Sequence, residues 1–370
     1  MKIYFSLPFI SLIFMFTGVI SQTTETEKFN PTIKWQVIIQ NRFEASLTDS
    51  VDVQNKYNAD AVAANFRIRR AAIRTDINLT QKLTGVVRVQ LPELKTAATP
   101  GKAIELAYFN YKFREGFQIR GGQFLVPFSI DELTPYDNLR MIDRGPNSIL
   151  FVNSNLASYQ PGIMFLGNLL TNKTPFNYYL GIVNGSDRSV SYDSNTAKNI
   201  FARIEFTPVK GIKLGVGDQV IGLKDETGNA YGADISLTKK IKSKTTLLIE
   251  GEYLLGANVS SYTSDTSSIK HLSEFNMGGY QALVLLKFET DKKWCKMFEV
   301  GGKFEQTDPL LNIDNNAYST ITGDIAFNFL EDNKARLQLN LIHTTWESTI
   351  TAASEIKTSD LFMMQFQLKI

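Results

Sequence analysis

Cysteine is almost missing from this chain: Cys295, within DKKWCK, is the only one in 370 residues. No intramolecular disulfide can form, which suits a bacterial envelope protein and speaks against a small stapled extracellular scaffold. An excess of either charge is missing too, with 39 Lys and Arg against 37 Asp and Glu. Bulk charge therefore argues neither for nucleic acid nor for a membrane-surface protein. Histidine is nearly absent, with His271 and His343 alone. No GxSxG, HExxH or paired-cysteine motif occurs, so no nucleophile–base pair, metal site or cofactor is expected. Beyond residue 21 no uninterrupted apolar run reaches the roughly eighteen residues that a helical span needs, so a membrane could be crossed only by a barrel.

The exception is the first stretch. Met1-Lys2 makes a positive start, Ile3 to Phe16 is apolar apart from Ser6, Pro8 and Ser11, and Val19-Ile20-Ser21 offers a cleavage site. Residues 1–21 read as a secretory signal peptide, with an anchor helix as the other reading, and 22–370 as one folded body.

What is present is alternation. Ile33, Trp35, Val37 and Ile39 face one way, with Lys34, Gln36 and Gln40 opposite. Leu337, Leu339 and Leu341 alternate with Arg336, Gln338 and Asn340, and the last segment through Phe362, Met364, Phe366 and Leu368 does the same. The period of two predicts about sixteen strands, many of ten residues or more, the length at which a tilted strand crosses a bilayer. Short turns take every second junction and long polar loops most of the others, the asymmetry of an up-and-down membrane barrel. The fold class is thus all-β, a transmembrane antiparallel β-barrel. A soluble sandwich would need shorter strands in Greek-key order, and a propeller a repeat that is not found.

If the apolar faces meet lipid, the other faces line the interior. That places Arg70, Arg74, Arg88, Lys112, Arg120 and Arg203 on the lumen as candidate anion-binding residues, beside Lys34, Arg42, Lys213, Lys303 and Arg336. Asp76, Asp234, Glu205, Glu250, Glu252, Glu299, Glu305 and Asp324 share it. Bases cluster early in the chain and acids later. Two readings stand: one wall favours anions, or the opposite charges pair and keep the interior wet. Parity counted from Ile73 and Ile77 turns Arg67 and Arg69 toward lipid, where a mid-bilayer charge costs about 2–4 kcal/mol. Either the strand rises above the hydrocarbon there, or it contains a bulge.

Between Gly116 and Phe165 the alternation breaks. Residues 126–158 form a long connection carrying Pro127, Pro135 and Pro146, and a loop of this length without its own structure is expected to be functional. It is the third long external loop, expected to fold inward and narrow the lumen. Its Asp131, Glu132, Arg140, Asp143 and Arg144 are the candidate constriction residues. Residues 127–150 hold four acids, two arginines and no lysine.

Several of these segments, FRIRRAAI, GGQFLVPFSIDEL, IDRG, NYYLGIVNGSDRS and FARIEFTPVKG, resemble in that order the phosphate-selective porin O/P family of Gram-negative outer membranes. Motifs carry the resemblance over about residues 60 to 215; the remainder matches in pattern. The resemblance implies a sixteen-stranded outer-membrane barrel, usually trimeric, with the third external loop turned inward. Its implied function is passive diffusion of small polar or anionic solutes, with outer-membrane lipid around the barrel and no nucleic-acid partner. The acidic balance of residues 127–150 departs from the lysine cluster and arginine ladder of the family's phosphate-specific members, so phosphate selectivity does not follow. Two other functions stand beside the channel: an enzyme built on the same barrel, and a soluble secreted β-rich binding protein or adhesin.

Overall fold

A computed structural model describes residues 29–95, 100–169, 174–186, 188, 193, 196–267, 270–351 and 354–370. The expected signal peptide lies outside the described residues. Sixteen strands follow one another: β1 (Thr32–Ser46), β2 (Ala64–Asn78), β3 (Leu83–Gln90), β4 (Ile104–Arg114), β5 (Phe117–Leu125), β6 (Tyr159–Asn168), β7 (Phe176–Val183) and β8 (Asn199–Val209). The second half continues with β9 (Ile212–Gly222), β10 (Thr227–Lys242), β11 (Thr245–Ala257), β12 (Asn276–Glu289), β13 (Met297–Asp308), β14 (Tyr318–Asn328), β15 (Ala335–Trp346) and β16 (Thr358–Lys369). Each pairs antiparallel with its neighbours in sequence, and β1 pairs with β16, so the sheet is a closed barrel. Closure satisfies the ladder hydrogen bonds that an open edge would leave bare in lipid.

At the seam, Val37 and Ile370 exchange both backbone hydrogen bonds at 3.0 Å each. The start of β1 and the end of β16 therefore lie at the rim that carries the turns at 79–82, 115–116 and 210–211, while loops 47–63, 126–158 and 258–275 leave the other rim.

Burial inverts the pattern of a soluble protein. Along β8, Asn199, Phe201, Arg203 and Glu205 are buried, while Ile200, Ala202 and Ile204 are exposed. Apolar side chains face outward, where lipid would cover them, and the charges face the bore.

Arg67 and Arg69 depart from simple parity. The β1–β2 register shifts between Gln40 and Asn41, so Gln40 opposes Arg70, Asn41 opposes Ile68, and Arg69 is the extra residue. This bulge returns Arg67 to the inner face opposite Arg42 and leaves Phe66 and Ile68 outside at 78% and 60% exposure. Of the two expected resolutions the bulge is the one found, and neither arginine meets lipid.

The 126–158 loop is not without structure of its own, as its sequence suggested. It contains α1 (Ile130–Leu133) and α2 (Pro146–Asn153). Ser129 caps α1, its side chain accepting from the Asp131 N–H at 3.2 Å, and Pro146 sits at the start of α2 where its missing N–H is harmless. The neck closes by Val126 N–H donating to the Ser158 carbonyl at 3.0 Å.

Candidate functional site

Three apolar contacts seat the loop against inward-facing side chains around the bore. Phe128 and Phe151, stacked at 5.8 Å, are buried with Leu254 and Met277. Tyr136 and Leu139 pack on Ile38 and Ala72, and Met141 on Leu248, Leu283 and Leu285. Burying such side chains contributes roughly 1.5–3 kcal/mol each, so the loop is held by more than its charges.

Charges then fix its position. Asp143 accepts from three arginines: Arg42 at 2.8 Å, Arg69 at 3.0 Å and Arg70 at 3.1 Å. Burial pushes its carboxyl up, but Arg69, Arg42 and Arg70 outweigh that and hold it well below the usual range. Glu44 pairs with Arg42 at 3.2 Å and with Arg67 at 2.6 Å. On the β1–β2 wall, four guanidiniums therefore share two carboxylates. Beside them the Tyr136 ring lies 5.1 Å from the Arg70 guanidinium and 4.6 Å from that of Arg88.

Across the bore the polarity of the contacts reverses. Glu252 accepts from the Ile130 N–H at 2.6 Å, the Ser129 hydroxyl at 3.1 Å and Gln281 at 2.9 Å. Arg140 reaches Glu250 at 3.0 Å. Lys303 joins Asp131 at 2.9 Å to Glu305 at 3.2 Å. The Asp131 carboxyl is pushed up by burial yet ends below its ordinary value because Lys303 and Arg144 stand beside it. At the seam, Asp137 takes an ion pair from Lys369 at 2.9 Å, and its carbonyl accepts from Gln367 at 3.1 Å.

Arg144 serves the loop itself. It pairs with Glu132 at 3.0 Å and donates to the carbonyls of Asp131, Glu132 and Thr134. Burial raises the Glu132 carboxyl above its ordinary value despite Arg144 and the Ser148 hydroxyl at 2.5 Å. Neither loop arginine is free to capture an anion alone: Arg140 is held by Glu250 on the wall and Arg144 by Glu132 within the loop.

The sequence-selected wall residues separate into groups. Arg70 stands at the loop, and Arg88 near it, paired with Glu105 at 2.7 Å and hydrogen-bonded to Tyr159. Arg74 is held by Asp76 at 2.7 Å. Arg120 lies 4.4 Å from the Tyr108 ring. Lys112 sits at the turn rim with Glu115, 2.9 Å away. Arg203 is across the barrel, between Glu205 at 3.2 Å and Asp234 at 2.7 Å, donating to the Phe128 carbonyl at 2.9 Å. Gly215 leaves the room for this pair, since a Cβ there would stand 2.3 Å from the Arg203 guanidinium. The sequence places Arg42 on the lumen, outside the anion-binding candidates, and for Arg67 and Arg69 it leaves either a bulge or a strand risen above the hydrocarbon. It does not mark Arg69 as the extra residue.

Two cavities flank α2 and share Asp143, Arg144, Ile149 and Asn153. One of about 370 Å³ opens toward β3 and β4, the other of about 530 Å³ toward β1, β2 and β14 to β16.

A closed sixteen-stranded barrel with an apolar outside, a charged bore and a loop seated across it defines an outer-membrane porin. The phosphate-selective porin O and P model matches residues 43–246, more than half of the chain, and the chain belongs to that family. It is similar to the outer-membrane channel DcaP of Acinetobacter baumannii, at 11% identity and a TM-score of 0.60 over 94% of this chain and 100% of that one. It is equally similar to an anion-selective porin from Comamonas acidovorans, at 11% identity and 0.60 over 92% and 100%. The trimer form of OmpT from Vibrio cholerae matches at 9% identity and 0.58 over 92% and 99%. No protein among the curated ones matches in sequence. The chain is thus a channel for passive diffusion of small solutes across the outer membrane.

Proposed function

We propose that this porin prefers anions, that residues 126–158 set the width of its pore, and that it works as a homotrimer without catalytic activity. The observation that carries the anion preference is the surplus on the β1–β2 wall: Arg42, Arg67, Arg69 and Arg70 against Glu44 and Asp143. Two positive charges are left uncompensated beside the loop. The Arg67 side chain, 45% exposed, brings one of them to the open cavity. In a water-filled bore with low-dielectric walls, such a surplus raises the local anion concentration. The similarity to an anion-selective porin and to a trimeric one supports the same reading.

Phosphate is one candidate solute among small anions, because the loop brings four acids and no lysine to the constriction. Reversal potentials in planar bilayers under a KCl gradient test the preference: chloride should carry most of the current, and a cation-selective sign refutes it. Removing residues 129–145 should widen conductance, and an unchanged single-channel current would count against the loop as the constriction.

A further inference from the structure

The larger cavity has two unlike walls. Along the lumen face of β15 the side chains run Arg336, Gln338, Asn340, then Ile342, Thr344 and Trp346. Along β16 they run Lys369, Gln367, Gln365, then Met363 and Leu361. Both strands thus become more apolar on their inner face toward the loop rim, with Thr344 and Ser359 as the polar exceptions, and Ile342, Trp346, Met363 and Leu361 all line the cavity of about 530 Å³. Barrel interiors are ordinarily polar, so an inward apolar patch needs a reason. The loop does not remove it: α2 adds another apolar side chain, Ile149, itself 52% exposed. Beside this patch, on the neighbouring β1 and β2, stand the fully buried Arg42 and the 45% exposed Arg67 with Glu44 between them, and Lys303, Arg144, Asp143 and Glu305 complete the charged lining. Thr344, within the patch, and Thr320, next to it on β14, add hydroxyls to the lining.

We propose that this vestibule selects organic anions that carry an apolar body, an aromatic or branched carboxylate, over small inorganic anions. The carboxylate lies toward the half-exposed Arg67 guanidinium, which holds Glu44 through one terminal nitrogen and offers its remaining N–H donors, and the hydrocarbon lies on the β15–β16 patch. The cavity volume is in the range of small-molecule sites. The lining's four cations, Arg42, Arg67, Arg144 and Lys303, outnumber its three carboxylates, Glu44, Asp143 and Glu305, which disfavours a cation with the same body, and small hydrated anions gain nothing from the apolar wall. This inference rests on the anion preference proposed above and names its solute class.

The test is block of chloride current through single channels of the full-length protein in planar bilayers. Benzoate, acetate, inorganic phosphate and benzylamine are added in turn from the loop side. Benzoate should halve the current at a concentration about tenfold below acetate or phosphate, as expected for burying part of a ring, and benzylamine should not block. Trp346→Ala, and independently Ile342→Thr, should bring benzoate to the level of acetate. Arg67→Gln should weaken block by every anion. Equal block by benzoate and acetate in the unmodified protein overturns the proposal, as does benzylamine blocking as well as benzoate. A benzoate advantage that survives both apolar substitutions overturns it too. Each variant's heat-modifiable migration on gels reports a folded barrel. The anion reading fails separately, by a cation-selective reversal potential.

Discussion

The β1–β2 wall and the β11–β13 wall hold the same loop by opposite means. On the first, cations outnumber acids, and the loop presents a carboxylate, Asp143, to three guanidiniums. On the second, Glu250, Glu252 and Glu305 face the bore, and the loop presents mainly donors: Arg140, the Ile130 N–H and the Ser129 hydroxyl. The loop is a charge-complementary insert between two walls of unlike sign. An acidic count for the loop as a whole is therefore a poor guide to the field a solute meets. Its acids are consumed by anchoring, and the wall it anchors to keeps the surplus.

The comparison breaks most severely at Asp143. Replacing it with Ala leaves Arg69 and Arg70 without a carboxylate partner and Arg42 with only Glu44. Breaking a buried pair from one side costs about 3–5 kcal/mol. The expected result is a rise in single-channel conductance and faster amide exchange through residues 130–145; unchanged values for both would mean the acidic wall alone holds the loop. Glu252→Gln attacks that other wall. It leaves one oxygen to serve three donors and puts an amide NH2 in place of the other, and each hydrogen bond lost costs about 0.5–1.5 kcal/mol. The exchange protection of Ser129 and Ile130 should fall while that around Asp143 persists.

Gly145 sharpens the contrast at the loop's turn into α2. A Cβ there would stand 1.8 Å from a Glu305 carboxylate oxygen that Lys303 holds in place. Gly145→Val should displace the loop from β13, at a cost of about 1–3 kcal/mol, visible as noisier open-channel current. Arg67→Gln is milder for stability, because the side chain is half exposed and such pairs are worth about 0.2–1 kcal/mol. Its effect should appear in the reversal potential, shifted toward cations, with barrel stability nearly unchanged.

The smallest effect is expected from pH. The folded Asp143 carboxyl lies well below its ordinary value, so its contribution is full above about pH 4, the ordinary aspartate range. It is lost only as pH falls through the lower folded value. Glu132 has the opposite sign: burial raises it, so the docked loop favours its neutral form, and mild acid does not undock it. Conductance should stay flat from pH 7 to 4 and rise below that; a step between pH 6 and 5 would show that another carboxyl controls the loop.

Period-two alternation and turn asymmetry made the barrel legible, down to its strand count and the place of its third external loop. They left open whether β2 bulges at Arg67–Arg69 or rises above the hydrocarbon. One extra residue at Arg69 reverses parity for everything beyond it, and nothing in FRIRRAAI marks which residue is extra. Both loop helices are short, at four and eight residues. Helical periodicity needs a longer window than that. Local signals were nevertheless there: Ser129 ahead of IDEL and Pro146 after Gly145 are a cap and a helix start. Which wall each loop charge would meet was not legible, since those pairs join residues from 73 positions apart, as Arg70 and Asp143 are, to 232, as Asp137 and Lys369 are.

The seam between β1 and β16 joins the two ends of the chain, so it is the pairing with the greatest separation along the sequence, and contacts of that kind form late. Until it forms, both strands expose bare edges. The inward loop touches each of them from inside: the Tyr136 carbonyl accepts from Gln40 on β1, and Asp137 engages Gln367 and Lys369 on β16. It therefore acts as a stitch across the last gap to close. A barrel lacking residues 129–145 should accordingly assemble more slowly, whatever happens to its conductance, and urea-refolding rates into detergent would show the delay.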